Sequence, residues 1–298
     1  MVFNINDTIL GKEASTPEKY DASLLFRIPR SENRIHYNID AKNLPFVGFD
    51  VWNCYEVSFL TDNGLPVSRV LKLIYSAQSE YLVESKSLKL YLNSFNMDRF
   101  GKTVKIAEGN VLELIRNDLN SLLEIQVKAV FFSKESVSKQ PFDSIKTRSL
   151  NELIPEEIQK NIHFTCYKES PELLKCKPAK IIHEYVFQTD ILRSNCRVTN
   201  QPDWGDLFVQ ISCFSEIDLA SVLEYLVSFR QENHFHEEVV EMIYKRFFDI
   251  FKPEKLMVAA MYTRRGGIDI NPIRASHVEL LDDAFLSSEL RLEKTLRQ

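Results

Sequence analysis

Cys196 and Asp203 lie seven residues apart on a short polar segment, and their side chains could act as a nucleophile and a proton-transfer group. Pro202 lacks an amide hydrogen and restricts the residue before it, so we expect the chain to turn before Asp203. A loop held between ordered elements can direct both side chains at one ligand. The flanking Arg193 and Arg197 favour the thiolate, the reactive form of cysteine. The pair predicts nucleophilic chemistry, although a small apolar cysteine beside a turn has the same spacing.

A second candidate stretch, residues 84–89, combines charges and hydroxyl groups between two apolar runs. If this backbone is extended, Glu84 and Lys86 share one face of the strand, and Ser85 and Lys89 share the other. Hydroxyl and ammonium groups together suit phosphate oxygens. The pattern therefore indicates contact with a phosphate group, and the alternative is a solvated strand end or helix start.

A third stretch contains two histidines beside an acidic pair. His236-Glu237 does not begin an HExxH zinc motif, because Val240 stands where the second histidine would be. His234, His236 and Cys196 have the residue types of a metal site but lack closed ligand spacing. Acidic residues here would also suit a helix N-terminus through the helix dipole.

The fourth stretch places Arg264 and Arg265 before Gly266 and Gly267, directly after an apolar run that reads as a strand. Two guanidinium groups beside a flexible glycine pair could hold a phosphate group, and the alternative is a basic turn. The chain has neither a GxGxxG fingerprint after a first strand nor a GxxxxGK[ST] motif. Neither a Rossmann nor a P-loop nucleotide site is therefore indicated.

The elements that must position these residues form two related halves. In the first half, Asn63-Gly64 predicts a hairpin between two strands. In the second half, an apolar stripe predicts a helix that ends before Pro253. The predicted strands are residues 51–60, 67–75, 123–132, 207–213 and 256–262, and the predicted helices are residues 110–122, 219–229 and 239–251.

An internal echo supports duplication, since residues 91–95 and 225–229 both read Tyr-Leu-X-Ser-Phe before a helix and a strand. Charge and recurring prolines mark the region between the halves as a connector. The predicted fold class is α+β, with antiparallel sheets and helices packed on one face. The predicted domains are residues 1–140, a connecting segment at residues 141–180, and residues 181–298.

The composition is that of a soluble globular protein, with 44% hydrophobic and 27% charged residues among 298. A net charge of −5 argues against a nucleic-acid scaffold held by bulk positive charge. No apolar stretch approaches the ~20 residues that span a bilayer. Five cysteines without a CxxC pair fit a reducing compartment, so we expect a cytoplasmic protein with neither a membrane nor a nucleic acid as partner.

Taken together, the four stretches resemble the NADPH-dependent 7-cyano-7-deazaguanine reductases, the nitrile reductases of queuosine biosynthesis, a tRNA modification pathway. Residues 20–25 and 28–30 resemble the start of the long, two-module form of that family. The likeness covers nearly the whole chain apart from residues 140–180. The residues that carry it are 84–91, 194–196, 201–204, 235–237 and 262–267.

The resemblance implies tandem tunnelling-fold (T-fold) modules, in which antiparallel sheets and paired helices assemble around a barrel. The motif at residues 84–89 occurs in the first half alone, and its counterpart near residues 219–224 has lost the serine and lysine residues. The nucleophile and His236-Glu237 occur in the second half alone. A complete site would therefore need both modules.

The resemblance also implies the chemistry. The Cys196 thiolate would add to the nitrile carbon to form a covalent thioimide, with Asp203 as the general acid. Glu237 would hold the guanine-like edge and His236 would close over the nitrile end. Further substrate contacts would come from Val83, Glu84 and Ser85, and NADPH contacts from Ser85, Lys86, Arg265 and Gly266. No metal is expected, and the protein is expected to be a homodimer.

Two other functions remain open at this point. One is a metal-dependent purine-ring hydrolase of the same fold, similar to GTP cyclohydrolase I, for which the second-half motif lacks the expected ligand set. The other is a non-catalytic purine-binding module. Stoichiometric bound zinc would favour the hydrolase, and an unreactive Cys196 would favour the binding module.

Overall fold

A computed structural model describes residue 17 and residues 19–298. The strands are β1 (Arg27–Pro29), β2 (Val47–Leu60), β3 (Pro66–Ser76), β4 (Tyr81–Val83), β5 (Val127–Phe132), β6 (Ser138–Lys139), β7 (Arg148–Ser149), β8 (Cys176–Cys196), β9 (Pro202–Ile217), β10 (Asn233–His234), β11 (Lys255–Tyr262), β12 (Ile268–Ala275) and β13 (Arg291–Leu292). The α-helices are α1 (Ser31–His36), α2 (Ser85–Asn93), α3 (Val104–Leu123), α4 (Leu150–Leu153), α5 (Glu156–Gln159), α6 (Leu219–Val227), α7 (His236–Phe251) and α8 (Asp283–Leu286).

One sheet runs through both halves in the order β10-β8-β9-β11-β12-β2-β3-β5, with β7 also against β8. The hairpin of β2 and β3 turns at Gly64, whose φ of +86° suits glycine. The halves meet where β12 pairs antiparallel with β2, from Ile268 opposite Cys54 to Ala275 opposite Val47. We call this pairing the central seam.

The longer helices α2, α3, α6 and α7 cover one face of the sheet, as the predicted α+β class requires. In β2, Trp52 packs in the apolar cluster under α2 and α3, whereas the adjacent Val51 packs on the opposite face. This is the alternation expected of a strand buried on both sides. In α3 the buried positions recur every four residues. In the second half α6 lies against β8, and α7 lies against β9, β11 and β12. The buried α3 positions are Ala107, Val111, Ile115, Leu119 and Leu123.

The opposite face of the sheet is covered by the start of the predicted connector and by a C-terminal segment, residues 280–292, that includes α8. Phe142 stacks on Phe208 at a centroid distance of 4.5 Å and lies 5.2 Å from Phe285. Lys72 is completely buried beneath the same cover, and its ammonium donates to the carbonyl of Ser287 at 2.8 Å. The start of the connector and the C-terminal segment therefore form a second layer on this face of the sheet.

Several predicted elements need correction. Residues 84–89 are not extended, because the Glu84 side chain accepts the Ser87 amide hydrogen at 2.6 Å and α2 begins at Ser85. Residue 123 ends α3 and does not begin β5. The long strand β8 begins at Cys176, inside the predicted connector, and β12 was not predicted. None of the helices in the described part of the chain is long and apolar enough to cross a membrane.

Candidate active site

A cavity of about 280 Å³ lies on the helical side of the central seam, between the N-termini of α2 and α7. Trp52 and Ile270, which face each other across the seam, form part of its wall. The structure brings every predicted site residue to this cavity. They are Val83, Glu84, Ser85, Lys86, Cys196, Asp203, His236, Glu237, Arg265 and Gly266.

Cys196 and Asp203 are placed by the hairpin of β8 and β9. The amide of Cys196 donates to the Gln201 carbonyl at 2.8 Å, and the amide of Asn200 donates to the Cys196 carbonyl at 3.0 Å. Asp203 pairs across the ladder with Ser194. The predicted turn is present, but both side chains project from hydrogen-bonded strand ends, which hold them more rigidly than a loop would.

The Asp203 carboxyl is 4% exposed and lies between a histidine and an arginine. Its Oδ2 is 3.4 Å from Nε2 of His236, and its Oδ1 accepts from the Arg265 guanidinium. Burial alone would raise the pKa of Asp203, but His236 and Arg265 outweigh burial and hold that pKa below its usual value. Asp203 is therefore a carboxylate at neutral pH in the ligand-free protein.

The N-terminus of α7 is tied to the hairpin that carries the cysteine. The Glu238 side chain accepts the Phe235 amide hydrogen at 3.0 Å and the Arg197 guanidinium at 2.7 Å. Arg193 donates to the carbonyl of Arg230. Both arginines expected to favour the Cys196 thiolate are thus engaged with other acceptors.

Glu237 is the acid of α7 that lines the cavity, and it is 3% exposed. Among the residues that the structure describes, its Oε1 has no hydrogen-bond partner. Burial, reinforced by the Asp50 carboxylate, raises the pKa of Glu237 to about 8. A buried acceptor without a partner is costly unless a ligand supplies a donor, so Glu237 is suited to receive N–H groups.

A buried charge network, formed by Arg30, Arg34, Asp50, Glu241 and Arg274, lies one helical turn beyond Glu237. Arg34 grips Glu241 through two bonds of 2.8 Å, and Arg274 reaches Glu241 at 2.9 Å and Asp50 at 2.9 Å. Arg30 completes the network on Asp50. Burial would raise the pKa of Glu241, but Arg274 and Arg34 hold it at about 2. Apart from Arg30, the sequence did not single out these residues, because they are isolated charges on distant elements.

The α2 side of the cavity is positively charged. Lys86 and Lys89 stand one turn apart on α2, and Lys89 lies 3.4 Å from Glu56. Arg265 and Gly266, which has a φ of +57°, face them from the turn before β12. Ammonium, guanidinium and helix N-terminal groups suit phosphate oxygens, so these residues fit a phosphorylated cofactor. Lys89, from the predicted phosphate-binding stretch, and His234 also line the cavity. Cavity residues to which the sequence assigned no role include Ile28, Trp52, Thr199, Gln201, Phe235, Ile268 and Ile270.

His234 is engaged by acids and is not arranged as a metal ligand. Its Nε2 lies 2.9 Å from Glu232 and its Nδ1 lies 3.5 Å from Glu238. Burial would lower the pKa of His234, but these two carboxylates raise it to about 9. Within residue 17 and residues 19–298, no group of three or more His, Cys, Asp and Glu side chains is placed to hold a metal ion.

Comparison with known proteins gives two matching families. Residues 16–131 match the family described as nitrile reductase, 7-cyano-7-deazaguanine-reductase N-term, and residues 202–280 match the family described as QueF-like protein. Relatives named NADPH-dependent 7-cyano-7-deazaguanine reductase cover most of the chain. That of Polaromonas sp. (strain JS666) is 41% identical over 91% of this chain and 94% of its own length, and that of Hydrogenovibrio crunogenus is 38% identical over 94% and 95%.

Two further matches have lower identity. The reductase of Desulfotalea psychrophila is 37% identical over 94% of this chain and 96% of its own length. A solved structure, the archaeosine synthase QueF-Like in the apo form, aligns at 13% identity and a TM-score of 0.29, covering 33% of this chain and 95% of that chain. That structural likeness is too weak to inform the fold.

Proposed function

Since the chain belongs to the family of NADPH-dependent 7-cyano-7-deazaguanine reductases, we propose that it reduces the nitrile of 7-cyano-7-deazaguanine to an aminomethyl group in queuosine biosynthesis. The observation that carries the proposal is one cavity that holds a thiol, an ionised carboxylate and a buried carboxyl acceptor. These are Cys196, Asp203 and Glu237. Nothing in the comparisons supports a metal-dependent hydrolase.

Glu237 seats the guanine-like edge of the substrate. Its ionised form accepts two parallel N–H bonds, which are charge-assisted and satisfy the unpartnered Oε1. Val83, Glu84 and Ser85 line the opposite side of the cavity, at the start of α2. The ring is thereby held between α7 and α2, with its nitrile toward the hairpin tip.

Cys196 and Asp203 activate the nitrile in a proton-balanced step. The Asp203 carboxylate takes the thiol proton from Cys196, and the sulfur adds to the nitrile carbon. The same proton then passes from Asp203 to the nitrile nitrogen, which leaves a neutral thioimide. The low pKa of Asp203 sharpens the predicted role, because the group must act as a base before it acts as the general acid.

The positively charged side of the cavity holds NADPH. Ser85, Lys86, Arg265 and Gly266 are the residues we assign to this contact, and Lys89 extends it by one helical turn. NADPH supplies hydride when bound, and reduction of a nitrile to an amine needs two such equivalents. His236 closes the nitrile end, faces Asp203 and keeps water from the thioimide.

We also propose that the fold is a tandem T-fold, with modules at residues 1–140 and 181–298 joined by residues 141–180. Matching helix starts support a duplication. The Ser87 hydroxyl donates to the carbonyl of Glu84 at 2.7 Å, and the Ser221 hydroxyl donates to the carbonyl of Asp218 at 2.6 Å. Each serine stands three residues after the N-cap residue of its helix, which is Glu84 for α2 and Asp218 for α6.

The protein is further proposed to be a cytoplasmic homodimer that acts on the free base without a nucleic-acid partner. Free cysteines at positions 54, 166, 176, 196 and 213 are consistent with a reducing compartment. Light scattering after size-exclusion chromatography tests the dimer, since a monomeric mass at micromolar concentration would contradict it.

The decisive experiment mixes the purified protein with 7-cyano-7-deazaguanine, with and without NADPH. We expect two NADPH consumed per nitrile, and a protein adduct by intact-mass spectrometry when NADPH is left out. Cys196→Ala should abolish the adduct. Cys166→Ala is the matched control, because this cysteine is also partly exposed but lies outside the cavity. The proposal would be contradicted if the native protein formed no adduct or if Cys196→Ala kept full activity.

A further inference from the structure

Tyr262, the last residue of β11, lies completely buried beside His236. The phenol ring and the imidazole are stacked, with centroids 3.9 Å apart and planes 3° apart. Across the ladder, Tyr262 faces Gly205 of β9. The roles assigned above do not use Tyr262 or Gly205.

Hydrogen bonds do little to fix the imidazole of His236. In the described part of the chain its Nδ1 has no partner, and its Nε2 is 3.4 Å from Asp203, longer than a normal hydrogen bond. The χ2 torsion of histidine is broad, so such a ring can turn unless packing holds its plane. The contact that holds the plane here is the face of Tyr262.

Gly205 leaves the space in which the Tyr262 ring lies. A Cβ atom at position 205 would stand 3.1 to 3.3 Å from three carbons of that ring. Even alanine would therefore force the Tyr262 ring, which is stacked on the imidazole, to move by a few tenths of an ångström. The three residues therefore pack in sequence: the missing side chain of Gly205 leaves room for the Tyr262 ring, and that ring packs against His236.

We propose that Tyr262 is a positioning residue, which lies on Gly205 and holds the His236 imidazole flat so that Nε2 faces Asp203. The proposal rests on the function proposed above, since the proton at Asp203 belongs to the nitrile addition. Tyr262 acts through His236 and does not touch the reacting atoms. Its ring, not its hydroxyl, carries the role.

Kinetics of two substitutions separate the ring from the hydroxyl. Tyr262→Phe keeps the stack and should retain kcat within about twofold. Tyr262→Leu removes the stack and should lower kcat by about 10-fold to 100-fold, the range for a misplaced catalytic group, with KM for the nitrile changed far less. Equal losses in both variants, or a wild-type kcat in Tyr262→Leu, would overturn the proposal.

Tyr225→Leu is the matched control for general destabilisation. Tyr225 is equally buried, on α6, and its hydroxyl bonds Glu169 away from the cavity. This variant should lose thermal stability comparably to Tyr262→Leu while keeping kcat. If its kcat falls as far, the effect of Tyr262→Leu is a stability effect and the proposal fails.

A measurement without turnover keeps the two proposals distinguishable. A stacked phenol ring should shift the imidazole protons of His236 upfield in NMR spectra of the wild type and of Tyr262→Phe. The shift should vanish in Tyr262→Leu, with the signal assigned through His236→Asn. Absence of the shift in the wild type overturns the stack, whereas absence of nitrile reduction overturns the proposed function alone.

The series arrangement also predicts coupling. Gly205→Ala should lower kcat in the wild-type background, because its Cβ displaces the Tyr262 ring. In the Tyr262→Leu background the same substitution should add little, since the ring it displaces is gone. Full additivity of the two losses would show that Gly205 does not act through Tyr262.

Discussion

The charge state of Glu237 makes substrate affinity depend on pH. In the free protein, burial and the Asp50 carboxylate place the pKa of Glu237 at about 8, so near pH 7 most molecules carry a neutral carboxyl group there. The groups around it are Asp50, Arg30 and Arg274, with Tyr75 and Tyr262 also facing it. The N–H edge of a guanine-like ring needs the ionised form, so binding at neutral pH must release a proton.

The size of the effect follows from that pKa. The ionised fraction of Glu237 falls from about one half at about pH 8 to about 1% at about pH 6, so the dissociation constant should rise about 50-fold over this interval. The affinity rises with pH because, in the bound state, two donated N–H bonds lower the pKa of Glu237. Above about pH 9 the affinity should become independent of pH.

The assay is calorimetry with the Cys196→Ala variant, in which no covalent addition obscures binding. Repeating the titration in two buffers of different ionisation enthalpy counts the released protons, and about 0.9 proton should leave near pH 7. Glu237→Gln should abolish both the proton release and the pH dependence. Glu108→Gln, which removes a carboxylate that pairs with Arg69 outside the cavity, should leave them unchanged. A constant affinity between about pH 6 and pH 8 would refute the reasoning.

Three further outcomes are expected. Asp203→Asn should bind the nitrile but lose most adduct formation, measured by intact mass, because the amide cannot take the thiol proton; an unchanged rate would remove Asp203 from the mechanism. Arg34→Ala should lower the free energy of unfolding in urea by about 3 kcal/mol, because Glu241 loses a buried partner. Arg27→Ala breaks an exposed ion pair and should lower it by less than about 1 kcal/mol. Equal losses in the two variants would contradict this reasoning. Because folding raises the pKa of Glu237 from 4.5 to about 8, the stability linked to its neutral form is lost as the pH rises through about 8. Glu237→Gln should therefore have a higher Tm than the wild type near pH 9 and a similar Tm near pH 5. A difference in Tm that does not change with pH would contradict this reasoning.

The elements that could be predicted from the sequence are those with a clear period. Residues 67–75 and 207–213 lie within observed strands, and the stripe of residues 239–251 lies in α7. β12 escaped prediction because it is buried throughout and contains Pro272, so it shows no polar alternation and carries a residue typical of strand edges. β8 was not predicted as a strand because much of it is exposed at the edge of the sheet, with charged residues and Pro178 in its first part.

The site could be predicted as a set of residues, but not as a geometry. Cys196, Asp203 and His236 belong to recognisable motifs, whereas the seam that brings the halves together joins strands about 220 positions apart. Long-range pairing of this kind leaves no local pattern. The same reason hides Tyr262, which reads as an ordinary strand residue until its ring is seen against His236.

The buried charge network also sets an order for synthesis. Arg34 emerges from the ribosome 207 residues before its partner Glu241, Arg30 waits for the same carboxylate, and Asp50 waits for Arg274. Until α7 and β12 exist, these groups must remain hydrated, because an unpaired buried charge is costly. The first half can therefore form its own hydrophobic core early, but the surface of β2 that later contacts the second half stays hydrated. The cavity can be completed only after the second half has been synthesised, because α7 and β12 supply part of its wall.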